Sequence, residues 1–165
     1  MRRPPKPEAA AAAADADERT VRVAGYALLA GRDFSVHEMT ERLLRRGYGA
    51  EVVAAAVASL VKEGFLREDR YAEQFVHQHS RRGRGPTRIR MELREKGVDG
   101  EAIDQALETA GTDWVAAARE ARRRKFGAAP PADYRERARQ ARFLQYRGFS
   151  TEQIRAALGP LDDES

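Results

Sequence analysis

Three copies of one short pattern limit this chain to a small set of folds. The copies align on central glycines at Gly47, Gly97 and Gly148, which are spaced 50 and 51 residues apart. Flanking positions agree as well: Leu43, Leu93 and Leu144 lie four residues before the glycine, Arg46, Lys96 and Arg147 lie immediately before it, and Glu51, Glu101 and Glu152 lie four residues after it. Such agreement predicts a tandem repeat protein.

Each copy has the chemistry of a corner between two helices. A basic residue before the glycine favours a helix C-terminus, and glycine readily adopts the left-handed conformation that ends a helix. The glutamate that follows falls in the first turn of the next helix, where a negative charge is favourable. The repeated block therefore predicts a helix, a glycine turn and a second helix.

Further signals divide each repeat into three helices. Helix starts are indicated by Ser35 with Glu38, Asp133 with Glu136, Ser150 with Gln153, and Pro86 at a first helical position. Apolar spacing of three to four residues predicts helices at about 20–30, 36–46, 50–63, 69–80, 86–96, 100–110, 114–126, 134–147 and 151–158. No convincing strand pattern occurs, so the predicted class is all-α.

The predicted architecture is a tandem array of three three-helix repeats, about nine short helices in all. One repeat buries too little apolar surface to be stable alone, so neighbouring repeats must pack in an elongated array. We expect repeats at 19–67, 68–111 and 112–160, a disordered Pro/Ala-rich tail at 1–18, and an acidic C-terminal end at 161–165. Alternatively, the run Ala9–Ala14 extends the first helix.

The composition excludes several classes of protein. The chain has no cysteine, which excludes disulfides and thiolate metal sites and suits a reducing cytoplasm. No apolar run approaches the length of a membrane span, and the N-terminus lacks a signal-peptide core. The three histidines and the scattered carboxylates do not assemble into a catalytic or metal-binding set. We therefore expect a soluble cytoplasmic protein that is not an enzyme and has no metal or cofactor.

Positive charge is concentrated in two runs, "RRGRGPTRIRMELREKG" at 81–97 and "REARRRKFG" at 119–127. The first run could be a nucleotide pocket, a patch for nucleic acid or an acidic protein surface, or a solvated turn. It lacks the spacing of a phosphate-binding loop, follows a helix, and loses a backbone donor at Pro86. Ile89 and Leu93 mark its buried side. Arg90 and Arg94 form a like-charged pair that a polyanion would neutralise.

Basic residues of the two runs, together with the adjacent pair at 45 and 46, are the candidate binding residues. They are Arg45, Arg46, Arg81, Arg82, Arg84, Arg88, Arg90, Arg94, Lys96, Arg122, Arg123, Arg124 and Lys125. If they share a face, Arg139, Arg142 and Arg147 extend it into a stripe. The sequence alone leaves that arrangement open.

Several of these segments resemble the RecX regulatory protein family of bacteria. The resemblance rests on "EDRYAEQFV" (68–76), "GRGPTRIRMELREKGV" (83–98), "LLRRGY" (43–48) and "RFLQYRGFSTEQIRAAL" (142–158), and it covers about 20–160. It implies a curved array of three-helix repeats that binds in the groove of the RecA recombinase filament.

The resemblance also implies a function. RecX-like proteins inhibit ATP hydrolysis, strand exchange and co-protease activity of RecA, and many bind single- or double-stranded DNA. We therefore expect a monomeric modulator of homologous recombination, DNA repair and the SOS response, without catalytic residues. The alternative is a stand-alone helical-repeat protein that binds DNA without sequence specificity.

Overall fold

The computed structural model describes residues 7–160, and within them the chain is all-helical. Its ten helices are α1 (Pro7–Ala14), α2 (Glu18–Leu29), α3 (Val36–Leu44), α4 (Ala50–Lys62), α5 (Glu68–Arg81), α6 (Pro86–Glu95), α7 (Gly100–Thr109), α8 (Trp114–Phe126), α9 (Tyr134–Arg147) and α10 (Thr151–Leu158). The nine predicted helices correspond to α2–α10, with ends that differ by at most two residues.

The predicted helix starts are confirmed in atomic detail. Ser35 and Ser150 each complete a capping box with the residue three positions later, and the side chain of Asp133 accepts a hydrogen bond from the backbone N–H of Glu136. Pro86 is the first residue of α6. The three corner glycines have φ of 93°, 74° and 93°, the left-handed conformation expected of them.

The N-terminal prediction was wrong over part of its length. Residues Pro7–Ala14, which we expected to be disordered, form α1, because alanine has the highest intrinsic helix propensity. The helix also has a neighbour, since a Cβ at Gly47 would lie 3.5 Å from the Cβ of Ala13. Asp17 then caps α2 as a separate helix. The predictions for residues 1–6 and for the acidic end at 161–165 lie outside the described residues.

The helices pack into two compact units. The first runs to Tyr71 and includes Lys96–Val98, and the second combines Ala72–Glu95 with the chain from Asp99 onward. The core of the first unit lies between α2, α3 and α4, where fully buried side chains include Val21, Met39, Leu43 and Leu60. Burial of such aliphatic side chains supplies most of the stabilisation of a helical repeat.

The second unit buries apolar residues of α6 and a cluster around the corner glycine that follows α9. Ile89 and Leu93 of α6 are fully buried, as the sequence predicts. Leu144 and Phe149, on either side of the corner glycine that follows α9, pack with Ala118 and with residues of α10. The turn between α5 and α6 lies against that same corner, and this contact positions the basic residues described next.

Candidate functional site

The glycine-rich turn before α6 is a helix junction rather than a phosphate loop. The backbone N–H groups of Gly85 and Thr87 donate to the carbonyl oxygens of Arg147 and Gly148, at 2.7 and 3.1 Å. The free donors at the start of α6 therefore satisfy the free acceptors at the end of α9. A Cβ at Gly85 would overlap the backbone of Gly148, so glycine is needed for this close approach. These two N–H groups are not available to a ligand.

Two arginines hold the same turn from the other side. Arg147 donates from Nε to the carbonyl oxygen of Gly83 at 3.0 Å and from Nη2 to that of Arg82. Arg124 donates from Nη1 to the carbonyl oxygen of Arg81 at 2.9 Å. Cationic side chains at a helix C-terminus compensate both the unpaired carbonyls and the helix dipole of α5. Arg124 and Arg147 are thus part of the scaffold at this turn.

Seven of the thirteen candidate cations form ion pairs with carboxylates. Arg84 and Arg88 share Glu92, and Arg123 and Arg124 share Glu120. The pairs Arg45 with Glu41, Arg90 with Asp104 and Lys96 with Glu38 complete this group. Each of these cations must give up its pair, or share it, before it can neutralise a ligand.

One candidate is structural and does not belong to an exposed face. The side chain of Arg122 is buried, and its Nε donates to the side-chain oxygen of Gln140 at 3.0 Å. Its two terminal nitrogens donate to the carbonyl oxygens of Gly127 and Ala129 in the loop after α8. A buried guanidinium needs such acceptors, and here they fix the path of the loop. Sequence reasoning placed Arg122 in the binding set because its neighbours are basic.

The prediction that Arg90 and Arg94 form an uncompensated pair was also wrong. Arg90 forms an ion pair with Asp104 of α7, so only Arg94 lacks a carboxylate partner within residues 7–160. Lys96 bonds to Glu38 at 2.9 Å, whereas Glu92 pairs with Arg84 and Arg88. Burial raises the pKa of Glu38, but the hydrogen bonds and charges of Lys96 and Arg32 outweigh this effect, and the net pKa lies below its ordinary value.

Glu120 shows how strongly one carboxylate is held by its cations. Arg123 contacts both of its oxygens, at 2.8 and 2.9 Å, and Arg124 adds a bond of 2.8 Å. These hydrogen bonds lower the pKa of Glu120 to about 2, with that from Arg123 the largest cause. At neutral pH the carboxylate is ionised and neutralises part of the charge of the second basic run.

Five exposed candidates have no ionic partner among the described residues: Arg46, Arg81, Arg82, Arg94 and Lys125. We call these the unpaired cations. Arg46 belongs to the first compact unit and the other four to the second. Because no described carboxylate pairs with them, they are the positions at which a polyanion can bind without breaking an ion pair within residues 7–160.

Two of the unpaired cations line a cavity in the second unit. This cavity, of about 320 Å³, lies between the α5–α6 turn, α8 and α9, and we call it the basic cavity. An adjoining cavity of about 260 Å³ includes Arg81 and Glu120 in its wall. The basic cavity itself is lined by Arg82, Gly83, Ala121, Arg124, Lys125, Phe143 and Arg147, with no carboxylate.

Sequence reasoning missed two features of this site. Arg147 was predicted to favour the end of its own helix and to extend a stripe, but its bonds to the α5–α6 turn were not predicted. Tyr146 was not singled out, yet its side chain is 79% exposed beside Arg147 in the chain. The position of Tyr146 between Arg142 and Arg147, in the third copy of the pattern, was the sequence signal that could have identified it.

The described residues contain no group of three or more histidine, cysteine, aspartate or glutamate side chains that could hold a metal ion. Over the same part of the chain, no helix is long and apolar enough to cross a membrane.

Comparison with known families accounts for almost the whole helical array. Family models for the first, second and third three-helix domains of RecX match residues 22–60, 68–107 and 112–158. The chain belongs to the RecX family. This assignment explains why one corner pattern recurs three times: each RecX domain contains one copy.

Similar proteins support the assignment over nearly full length. The regulatory protein RecX of Halorhodospira halophila is 46% identical over 151 residues, which cover 92% of this chain and 94% of the relative. RecX of Pseudomonas savastanoi pv. phaseolicola is also 46% identical, over 134 residues that cover 81% and 86% of the two chains. RecX is a family of regulatory proteins and not a known enzyme family.

Solved structures of RecX proteins share the fold. The crystal structure of RecX from Lactobacillus salivarius matches with a TM-score of 0.71 and 21% identity, covering 84% of this chain and 92% of the other. A second crystal structure of regulatory protein RecX gives a TM-score of 0.69 at 21% identity, covering 93% and 78%. The tandem array of three-helix domains is therefore a property that this chain shares with solved relatives.

Proposed function

We propose that this RecX protein binds the RecA–DNA filament and inhibits RecA, so that recombinase, ATPase and co-protease activities fall. In the cell it modulates homologous recombination, DNA repair and the SOS response, and it acts as a cytoplasmic monomer. The observation that carries this proposal is the set of unpaired cations on a repeat scaffold whose family is regulatory. A filament of recombinase on DNA offers a repeating acidic surface and phosphate groups to such a scaffold.

The distribution of ion pairs supports a binding role for specific residues. Exposed cations that already have a carboxylate gain little from a new anion, because one favourable interaction replaces another. The unpaired cations gain the full interaction and release bound counterions when they contact a polyanion. We therefore assign Arg46 in the first unit, and Arg81, Arg82, Arg94 and Lys125 in the second, to contacts with the partner, and we exclude Arg122.

The direct test is ATP hydrolysis by purified RecA on single-stranded DNA. Titration with this protein, at ratios up to one per RecA monomer, should lower the rate of hydrolysis and shorten the filaments seen by electron microscopy. If both quantities stay unchanged at low and at physiological salt, the proposed function is wrong.

A stand-alone DNA-binding protein makes a different prediction in the same assay. It would lower ATP hydrolysis only by competing for DNA, so that excess single-stranded DNA would restore the full rate. It would also fail to bind RecA when DNA is absent. A protein that acts on RecA itself should retain part of its inhibition at saturating DNA.

A further inference from the structure

The basic cavity combines four cations with an aromatic wall. The RecA contact proposed above was argued from unpaired cations alone, without the cavity or its aromatic residues. Its lining includes Arg82, Arg124, Lys125 and Arg147 together with Phe143. Arg124 is neutralised by Glu120, which lies outside the lining of this cavity. Arg82 and Lys125 have no carboxylate partner among residues 7–160, and Arg147 is bonded only to uncharged carbonyl oxygens. Within the part of the chain that the structure describes, the positive charge of the cavity is therefore not fully compensated.

Arg147 is the member most in need of an anion. Its Nε and Nη2 atoms are used on the α5–α6 turn, which fixes the orientation of the guanidinium plane. No hydrogen bond within the described residues uses its Nη1 atom. Burial lowers the pKa of Arg147, and the neighbouring charges of Arg84 and Arg88 lower it further. A bound anion would offset the cost of burying this cation and its repulsion from Arg84 and Arg88, and the fixed guanidinium makes little conformational adjustment to receive it.

We propose that the basic cavity holds a backbone phosphate of a single-stranded nucleic acid, and that Tyr146 stacks on a base of the same strand. A cavity of about 320 Å³ has the volume of roughly ten water molecules, enough for a phosphate and its sugar. The inference deepens the proposed function and rests on it for its biological setting, since it names the strand that the regulator contacts.

Aromatic residues favour a single strand over an acidic protein surface. Phe143 lines the basic cavity, and Tyr146, the residue before Arg147, exposes 79% of its surface. Arg142, which is exposed, lies one helical turn before Tyr146 on α9. An exposed ring beside cations, such as that of Tyr146, suits an unstacked base, which presents a flat face, whereas paired bases of a duplex keep their faces covered. An acidic protein surface would be satisfied by the cations alone.

The first experiment measures binding of a fluorescent oligothymidylate by anisotropy, with RecA absent. The double variant Arg82→Gln with Lys125→Gln should weaken binding about tenfold or more. It should also reduce the slope of log affinity against log salt by about 0.7 for the loss of one phosphate contact. Both side chains are exposed and have no carboxylate partner among residues 7–160, so the helices and the melting temperature should be unchanged.

A matched control removes the same charge elsewhere. The variant Arg42→Gln with Lys62→Gln also neutralises two exposed cations, both in the first unit. Its affinity for the oligonucleotide should remain within about threefold of the starting protein, with a nearly unchanged salt slope. Equal losses in the two double variants would mean that net charge alone drives binding, and the cavity assignment would be overturned.

The second experiment tests the stacking contact with two tyrosines of one helix. Tyr146→Ala should weaken binding of the single strand about tenfold. Tyr134→Ala is the control, because Tyr134 is 77% exposed but lies at the opposite end of α9, about 18 Å away along the helix. The effect of Tyr146→Ala should disappear with duplex DNA. An identical effect of the two substitutions would contradict the proposal.

Competitors distinguish the sources of the anion. Unlabelled oligothymidylate should displace the probe at far lower concentration than poly-glutamate of equal charge or inorganic phosphate. Displacement by poly-glutamate with equal efficiency would assign the cavity to an acidic protein, and saturation by millimolar phosphate would assign it to the free ion. Either result overturns the inference. Failure of oligonucleotide binding with intact inhibition of RecA would refute this inference and leave the proposed function standing.

Discussion

At the scale of single residues, the same side-chain type has different tasks within a few positions. Arg122 is buried and bonds to Gln140 and to two loop carbonyls, whereas Arg123 is exposed and pairs with Glu120. The sequence "RRRK" gives no sign of this difference, because burial depends on which residues of α9 and of the following loop approach α8. Long-range contacts of this kind explain why the site was only partly predictable.

Substitution of these two arginines should distinguish the structural arginine from the exposed one by their effects on stability. Arg122→Ala should lower the free energy of unfolding by about 2 kcal/mol or more, since it leaves the buried Gln140 side chain without its donor and frees the loop after α8. Arg123→Ala should change it by no more than about 0.5 kcal/mol, as is usual for an exposed ion pair. Urea unfolding followed by circular dichroism measures both. A neutral effect of Arg122→Ala would show that its hydrogen bonds contribute nothing to stability.

Glycine substitutions test the junction before α6. Gly85→Ala places a Cβ against the backbone of Gly148, which cannot move as a side chain can, and should destabilise by about 1–3 kcal/mol. Gly100→Ala meets nothing within 4 Å at the first position of α7, and it should be neutral or stabilising by up to about 1 kcal/mol. Thermal unfolding distinguishes them, and equal melting temperatures would contradict the close approach.

At the scale of helices and turns, local signals predicted most of the fold. Capping boxes, Pro86 and the corner glycines act over three or four residues, so the sequence alone defines nearly every helix end. Ion-pair partners are different, because Lys96 and Glu38 are 58 residues apart and Arg147 and Gly83 are 64 apart. Such partners depend on how helices pack, which explains why the ion pair of Arg90 with Asp104 was not predicted.

Acid should lower the free energy of unfolding by protonating Glu38 at the start of α3, and the substitution Glu38→Gln should abolish this pH dependence. The pKa of Glu38 is lower in the folded protein than its ordinary 4.5, so its stabilisation is present above about pH 4.5 and is lost as pH falls through the folded value. Glu38→Gln keeps an acceptor for the capping box but loses the charge. At pH 7 it should cost about 1 kcal/mol.

Urea unfolding across pH measures this difference between Glu38→Gln and the starting protein. The two free energies of unfolding should converge as pH falls below 4.5, because protonation removes the charge that the substitution has already removed. A difference that stayed constant down to pH 3 would show that the ion pairs with Lys96 and Arg32 contribute no pH-dependent stability.

At the scale of the whole molecule, the repeat pattern predicted the class and the number of domains. It did not predict α1, because no copy of the pattern reaches Pro7–Ala14 and a Pro/Ala-rich segment is equally typical of a disordered tail. Nor did it predict that the three domains would pack as two compact units, with Lys96–Val98 in the first. That grouping arises from contacts such as the bond of 2.8 Å from the hydroxyl of Ser35 to the carbonyl oxygen of Lys96.

Inhibition of RecA by charge variants tests the central claim that the unpaired cations of the two basic runs bind the partner. The concentration that halves ATP hydrolysis on single-stranded DNA should rise about tenfold for Arg81→Gln with Arg94→Gln. It should stay within about threefold of the starting protein for the control, Arg42→Gln with Lys62→Gln, which removes equal charge. If both variants inhibit as well as the starting protein, or if both lose inhibition equally, the account is contradicted.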